Sequence, residues 1–130
     1  MKNVTVFLLG GFGYGLCEIL WRGYTHFSMF LLGGVCLVAV YIAEKKFYVL
    51  SFALRCFFAA LFFTSMELVC GCVVNILLQL DVWDYSSMPL NFYGQICLSF
   101  SLLWLILAPV VLLLCAVLRK SFDKCYPFKC

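Results

Sequence analysis

The amino-acid sequence predicts an all-α, polytopic membrane protein with about four transmembrane helices and a short ordered outer loop between helices 3 and 4. Hydrophobic residues make up 66% of its 130 residues and charged residues 12%, whereas soluble domains average roughly 45–50% and 25%. The mean hydropathy is +1.10. Because a helix needs about 20 residues to cross a bilayer core, this length accommodates about four spans with short loops. We therefore expect a single transmembrane domain over residues 1–130.

The apolar runs predict spans at about residues 4–21, 27–43, 56–78 and 96–118. The third run is too long for one perpendicular span, so Phe47–Leu54 is expected at the interface, with Arg55 extending to the headgroups. Pro109 lacks a backbone donor and predicts a kink in the last helix. The basic pair Arg119–Lys120 is expected to end that helix.

The Lys and Arg residues predict the orientation of these spans. Arg22 falls at one end of the predicted bundle, and the other eight fall at the opposite end. The positive-inside rule then predicts that both termini are cytoplasmic, with the cell membrane as the favoured location. The excess of Lys and Arg at the cytoplasmic end is enough to explain the net charge of +3, so no nucleic-acid partner is indicated. The expected partner is the lipid bilayer.

Glu67 lies in the middle of the third apolar run, where an ionisable group is costly and usually has a partner or a task. Thr64, Glu67, Gly71 and Asn75 recur at steps of three and four residues, so they form a polar stripe on one helix face. The following segment, 81–93, is rich in aromatic and acidic residues and contains a proline. It is predicted to form an ordered cap at the outer end.

The first helix carries a similar face. Its small residues lie toward the cytoplasmic half, and Glu18 and Arg22 lie in the outer half, where they can pair at a spacing of four. Small residues at this spacing let another helix approach closely. The expected helix-packing residues are Gly11, Gly15, Gly33, Gly34 and Gly71.

Two carboxylates on separate helices are predicted to lie at similar depth. At a rise of 1.5 Å per residue, Glu18 lies roughly 21 Å and Glu67 roughly 18 Å from the inner boundary. We hypothesise an outward-facing polar pocket between the first and third helices, beneath the cap. Its candidate substrate-binding residues are Glu18, Arg22, His26, Glu67, Asn75, Asp84, Tyr85 and Asn91.

A purely structural role is open for each of these groups. Glu18 can serve only to pair with Arg22, and a protonated Glu67 can hydrogen-bond to a neighbouring helix. For His26 a structural hydrogen bond is favoured over a proton relay or a metal site, and for the Asp84–Tyr85 pair loop capping is favoured over catalysis.

No cofactor or metal is expected. The cysteine pair Cys70 and Cys72 diverges around a helix and favours core packing over chelation. The sequence contains no P-loop, G-x-S-x-G or H-E-x-x-H motif, so no ATPase activity is expected and a non-enzymatic role is favoured. Cys125 and Cys130 are expected outside the lipid, as free thiols or, in a eukaryotic cell, as palmitoylation sites.

A longer pattern runs through the second half of the chain. Glu67 and Gly71 are followed by Trp83-Asp84-Tyr85-Ser86, Pro89, Asn91, Gly94-Gln95-Ile96-Cys97-Leu98 and Trp104. This pattern resembles the family of small membrane proteins described as putative ABC-transporter type IV. In the first half, Gly13-Tyr14, Glu18 and Arg22-Gly23 resemble the family's pattern, whereas the family's glycine-proline turn after them is absent. The resemblance implies an integral membrane protein of the permease type and names no substrate.

Three functions are compatible with these features. The first is a transporter component, which would form a homo-oligomer or a larger membrane complex, with a separate ATPase subunit, because four short helices hardly enclose a pathway. The second is a non-catalytic scaffold or assembly subunit, for which Gly15→Leu would be more harmful than Glu67→Gln. The third is a small membrane enzyme that uses Glu18 and Glu67 as acid and base on a lipid-linked substrate.

Overall fold

The computed structural model describes residues 1–125, and Cys130 lies outside this part of the chain. Within the described residues the chain forms four α-helices, each long and apolar enough to cross a membrane. They are α1 (Lys2–Arg22), α2 (Phe27–Lys46), α3 (Phe52–Gly71) and α4 (Leu98–Cys125). The prediction of an all-α, polytopic membrane protein is therefore confirmed.

The helices end where local sequence signals stop them. Gly23 adopts a left-handed conformation with φ of 81°, and its N–H bonds to the carbonyl of Ile19, which closes α1. The Nδ1 atom of His26 accepts a hydrogen bond from the backbone N–H of Ser28 and caps the start of α2. Ser51 caps α3 in the same way through its hydroxyl.

The third helix begins earlier, and the fourth ends later, than the sequence predicts. Helix α3 begins at Phe52, and a π-helical segment, Cys72–Leu77, continues it to Leu77. The pair Arg119–Lys120 does not end α4, which runs on to Cys125 with Pro109 inside it. Residues after a hydrophobic span can stay helical in the interface because basic side chains there reach water.

Helices α1 and α2 pack tightly along each other because small residues face each other across their contact. A Cβ atom added to Gly33 would lie 2.5 Å from the Cβ of Tyr14 and 2.6 Å from the carbonyl oxygen of Gly10. The Phe7 ring covers Gly34, and the Phe30 ring covers Gly11. The backbones therefore approach most closely at Gly10 and Gly33.

The same contacts show that Gly15 is less confined. An added Cβ at Gly15 would meet only Thr25, at an ordinary 3.8 Å. Gly10, which sequence reasoning did not single out, takes the position of closest approach.

Both ends of the described chain meet at one end of the bundle. Nζ of Lys2 lies 4.0 Å from the Asp123 carboxylate, which joins the start of α1 to the end of α4. Arg119 donates a hydrogen bond of 2.7 Å to the carbonyl of Tyr41 near the end of α2. We call this the terminal end, and we call the opposite end, with the 23–26 connection and the 78–97 loop, the loop end.

Arg55 makes an ion pair at the terminal end that the sequence did not predict. Its Nη1 atom lies 2.6 Å from Oε2 of Glu44, and both side chains are largely buried. The ion pair links the end of α2 to the start of α3. Helix α3 in turn packs mainly against α4.

The loop after α3 is short but folded. It contains an antiparallel hairpin of two-residue strands, β1 (Asn91–Phe92) and β2 (Ile96–Cys97), and β2 leads directly into α4. An ordered segment over the loop end was expected from its aromatic and proline content, and the structure contains one.

Candidate functional site

Glu67 of α3 is a buried carboxylate that faces the loop end, with only 3% of its surface exposed. Its Oε1 atom accepts a hydrogen bond of 3.2 Å from the hydroxyl of Tyr85, and its Oε2 atom accepts one of 3.1 Å from Nε1 of Trp104. One donor comes from the loop and the other from α4. A single carboxylate on α3 thus joins three parts of the chain, which we call the Glu67 cluster (Glu67, Tyr85 and Trp104).

Aromatic rings enclose this cluster. The Trp104 ring stacks on Tyr14 of α1 at a centroid distance of 5.6 Å and packs against Phe63 at 5.5 Å. The Tyr85 ring stacks on Phe100 of α4 at 4.7 Å with an interplanar angle of 10°. These rings hold both donors in position and keep water away from the carboxylate.

The hydroxyl of Tyr85 stays protonated and so remains a hydrogen-bond donor. Burial raises the pKa of Tyr85 well above its ordinary value, and the neighbouring Glu67 carboxylate raises it further. Tyr85 therefore keeps its proton across the physiological pH range, and its hydrogen bond to Glu67 does not depend on its own titration.

A second polar group fastens the loop to the end of α3. Asn75, in the π-helical segment, donates to Oε1 of Gln95 at 2.8 Å and accepts from the backbone N–H of Val82 at 2.7 Å. Gln95 is 5% exposed, and its carbonyl accepts a hydrogen bond from Nε1 of Trp83. Gly71 leaves room for this contact, since an added Cβ there would lie 2.5 Å from Oε1 of Gln95. The buried amides are therefore satisfied by one another and by the backbone.

The exposed part of the loop is shaped by its own polar side chains. Asp84 accepts hydrogen bonds from the backbone N–H and the hydroxyl of Ser86, and these bonds lower the pKa of Asp84. Asn91 donates to the carbonyls of Ser86 and Met88 and accepts from the N–H of Gly94. Asp84 and Asn91 therefore act on the fold of the loop.

Glu18 has a separate set of partners at the loop end. Its Oε2 atom accepts from Nη2 of Arg22 at 2.9 Å and from the hydroxyl of Thr25 at 3.0 Å. Arg22 also donates to the carbonyl of Val82 at 2.8 Å and packs over the Tyr24 ring. The pairing of Glu18 with Arg22 is as predicted, and through Val82 it ties α1 to the loop.

The predicted site residues thus fall into groups that touch different partners. Glu67 meets Tyr85, and Glu18 meets Arg22, but the two carboxylates share no hydrogen-bond partner in the described chain. His26 bonds locally to Ser28 as a helix cap. One connection between the two acids is the Tyr14–Trp104 stack, since Trp104 donates to Glu67 and Tyr14 lies one turn before Glu18 on α1.

Two partners were not assigned a contact from the sequence. Trp104 appeared there only as part of a family pattern, although an indole N–H in an apolar helix needs an acceptor and Glu67 is a buried one. Gln95 was not assigned a partner either. Its side-chain amide is buried in the structure, and a buried amide needs a hydrogen-bond partner, which here is Asn75.

The described residues contain no group of three or more His, Cys, Asp or Glu side chains that could hold a metal ion. The site therefore contains a buried Glu67 carboxylate with two hydrogen-bond donors, and a separate, partly exposed Glu18–Arg22 ion pair.

The comparisons with known proteins bear on this geometry. A family model described as putative ABC-transporter type IV matches residues 6–127, which is nearly the whole chain. The chain belongs to this family. The match includes both carboxylates, the loop and Trp104, so the Glu67 cluster lies inside the part that defines the family. No match was found among curated proteins or among solved structures.

Membership in this family gives the class of the protein. It is a multi-pass membrane protein of the family described as putative ABC-transporter type IV.

Proposed function

We propose that this chain is a membrane subunit of an ABC-type transporter and that Glu67 controls the state of the loop above the site. The observation that carries the proposal is the Glu67 cluster, in which a membrane-embedded acid is bonded to a loop tyrosine and to a helix tryptophan. Ionisable groups inside membrane bundles usually mark substrate or ion pathways.

The chemistry of the acid supports such a role. A carboxylate has about four acceptor positions, and Glu67 uses two of them for neutral donors. A cationic group or a proton that reached Glu67 would compete with Tyr85 for the carboxylate. Losing that bond would release one of the attachments of the loop to the bundle, which is a way to couple binding to opening.

Of the eight candidate substrate-binding residues, the contacts favour four. Glu67 is buried, and Tyr85, Glu18 and Arg22 are half-buried; all but Tyr85 can carry a charge and so can meet a charged substrate. His26, Asp84, Asn75 and Asn91 are engaged in capping and loop bonds, so their proposed part is to keep the site in shape.

The charge bias supports an outward-facing loop end with both termini in the cytoplasm. Since the described chain offers few walls for a pathway, the proposed transporter contains several copies or another membrane subunit, together with a separate ATPase. Energy for transport would enter at the terminal end, where such an ATPase would bind.

The test is to isolate the tagged chain from its native membrane in mild detergent and identify what accompanies it. We expect a nucleotide-binding subunit whose ATP hydrolysis, after reconstitution in liposomes, falls at least tenfold with Glu67→Gln. Ser65→Ala is the matched control, because Ser65 lies on the exposed face of the same helix and its hydroxyl donates to the carbonyl of Leu61 on that helix. A chain that purifies alone, or a complex unaffected by Glu67→Gln, would contradict the proposal.

A scaffold role is the second candidate, and one observation favours it. Only 17% of the span residues of α1 and of α4 are buried inside the bundle, compared with 39% in α2. The outer faces of α1 and α4 are therefore free to contact lipid or another protein. This function predicts that Glu67→Gln leaves activity intact while disruption of the α1–α2 contact abolishes assembly. Acid–base catalysis has less support, because the two carboxylates have separate partners.

A further inference from the structure

A cleft of about 420 Å³ lies at the terminal end between α2 and α3, and none of the three residues of the Glu67 cluster lines it. Val40, Phe58, Phe62 and Leu112 contribute to its mostly apolar lining, so three helices form its walls. Its volume falls within the range of about 300–1,000 Å³ that is usual for small-molecule sites. We call it the terminal cleft.

The charged residues that line the terminal cleft are Glu44 and Arg55, which form the ion pair between α2 and α3. A guanidinium has five N–H donors, and in the described chain its Nη1 atom bonds to Glu44 while its Nε atom has no hydrogen-bond partner. Arg55 therefore offers donor capacity beside an apolar space.

More positive charge follows directly on α2. Lys45 and Lys46 are exposed at its last turn, next to Glu44. Three basic groups and one acid give this corner a net charge of +2. Because α2 ends here, the corner lies where a membrane-spanning helix reaches the headgroup region.

A ligand that suits this site has an apolar chain and an anionic head. Among the molecules that surround a membrane protein, phospholipids have this shape, and basic pockets between transmembrane helices bind anionic headgroups. We propose that the terminal cleft holds one acyl chain of an anionic phospholipid, whose phosphate is bound by Arg55 with Lys45 and Lys46. The site is independent of the proposed transport function, since it uses none of the residues of the Glu67 cluster.

The headgroup is tested by lipid titration of the delipidated protein in a neutral detergent, followed by native mass spectrometry. Phosphatidylglycerol and phosphatidylcholine with identical chains are compared. We expect one phosphatidylglycerol to bind at least fivefold more tightly than phosphatidylcholine. Each of the single variants Arg55→Gln, Lys45→Gln and Lys46→Gln should weaken phosphatidylglycerol binding roughly fivefold, because each removes one positive charge. The Lys45 and Lys46 side chains are exposed, so these two variants should fold normally.

Lys120→Gln is the charge-matched control. Lys120 is an exposed basic residue at the same end of the bundle, but it lies on α4, whereas Lys45 and Lys46 directly follow the cleft-lining Glu44 on α2. It should leave the lipid preference unchanged. Equal affinity for the two lipids, or an equal effect of Lys120→Gln and of the Lys45 and Lys46 variants, would overturn the proposal.

The acyl chain is tested by filling the cleft. Ala43 lines it, so Ala43→Phe should abolish binding of the single retained lipid. Ala116→Phe makes the same change on an exposed face of α4 and should retain it. If both variants bind the lipid equally, the chain does not lie in the cleft and the proposal fails. If glycerol phosphate, which has no chain, displaces the lipid at equimolar concentration, the proposal also fails.

Discussion

Glu67 is the residue on which the loop end depends, because it is a buried acid with donors from two other parts of the chain. Its two hydrogen bonds remove the need for water around it, and the Trp104 and Tyr85 rings that donate them also pack against other rings. A change at this one position therefore reaches α3, α4 and the loop together.

We predict that Glu67→Ala destabilises the protein more than Glu67→Gln. Alanine leaves the Tyr85 hydroxyl and the Trp104 N–H without an acceptor, at a cost of about 1–3 kcal/mol for each buried donor. Glutamine keeps one acceptor oxygen and should lose roughly half as much. The free energy of unfolding in detergent micelles measures both. Ser65→Ala should have little effect, and a Glu67→Ala variant as stable as Ser65→Ala would disprove the role of the cluster.

The sequence predicted some contacts of the site and missed others. Glu67 could be recognised because an acid in an apolar run is conspicuous, and the Glu18–Arg22 pair because four residues make one helical turn. Trp104 is 37 positions from Glu67, and local sequence spacing cannot predict a contact over that distance along the chain. The Arg55–Glu44 ion pair was missed for the same reason, since Glu44 becomes a neighbour of Arg55 only after the chain turns between α2 and α3.

Among the elements, the α1–α2 contact is the tightest. We predict that Gly33→Ala destabilises the protein by about 1–3 kcal/mol, as overpacking usually does, because the new methyl group would meet Tyr14 and the Gly10 backbone. Gly13→Ala is the control, since an added Cβ at Gly13 has nothing within 4 Å. Thermal unfolding in detergent compares them. Equal melting temperatures would mean that the helices are free to separate.

The loop makes a further prediction possible. Gly94 has φ of 67°, and an added Cβ would lie 2.6 Å from the Ser86 hydroxyl and 2.8 Å from the Asp84 carboxylate. Gly23 has φ of 81° with nothing near its Cβ position. Both alanine variants cost about 1–2 kcal/mol from the left-handed backbone. Gly94→Ala should lose more, because it also crowds the loop bonds.

Hydrogen exchange of the loop amides tells these two variants apart. Gly94→Ala should increase exchange across residues 84–95, whereas Gly23→Ala should leave these amides protected. Similar exchange in the two variants would show that the Asp84–Ser86 contact does not hold the loop.

The order of the loop was predictable from its composition, but its conformation was not. Gln79, Asp81, Leu90 and Tyr93 all have positive φ between 48° and 53°. Leucine and tyrosine rarely adopt that region, so nothing in their identity predicts it. Hydrogen bonds close to these positions stabilise the loop: Val82 donates to Asn75 at the end of the third helix, whereas Asn91 bonds within the loop.

The whole molecule has a clear difference in charge between its ends, and it supports a prediction of orientation. A cysteine at Ser87, in the exposed loop, should react with a membrane-impermeant thiol reagent in intact cells. A cysteine at Lys46, at the terminal end, should react only after permeabilisation. The opposite labelling pattern would reverse the orientation that we infer from the Lys and Arg bias.

At this scale the sequence predicted the fold class and not the packing. Four apolar runs of helical length set the number of spans, because each must cross the same bilayer thickness. Which helices pack most closely depends on shape. Gly10 and Gly33 join α1 to α2, and Gly10 was not among the expected helix-packing residues.

The origin of the donors to Glu67 has a consequence for biosynthesis. Tyr85 and Trp104 follow it in the chain by 18 and 37 residues, so the third segment leaves the ribosome before either can reach its acid. An acid alone in hydrocarbon resists insertion. We therefore expect the third and fourth transmembrane segments to leave the translocon and enter the bilayer together.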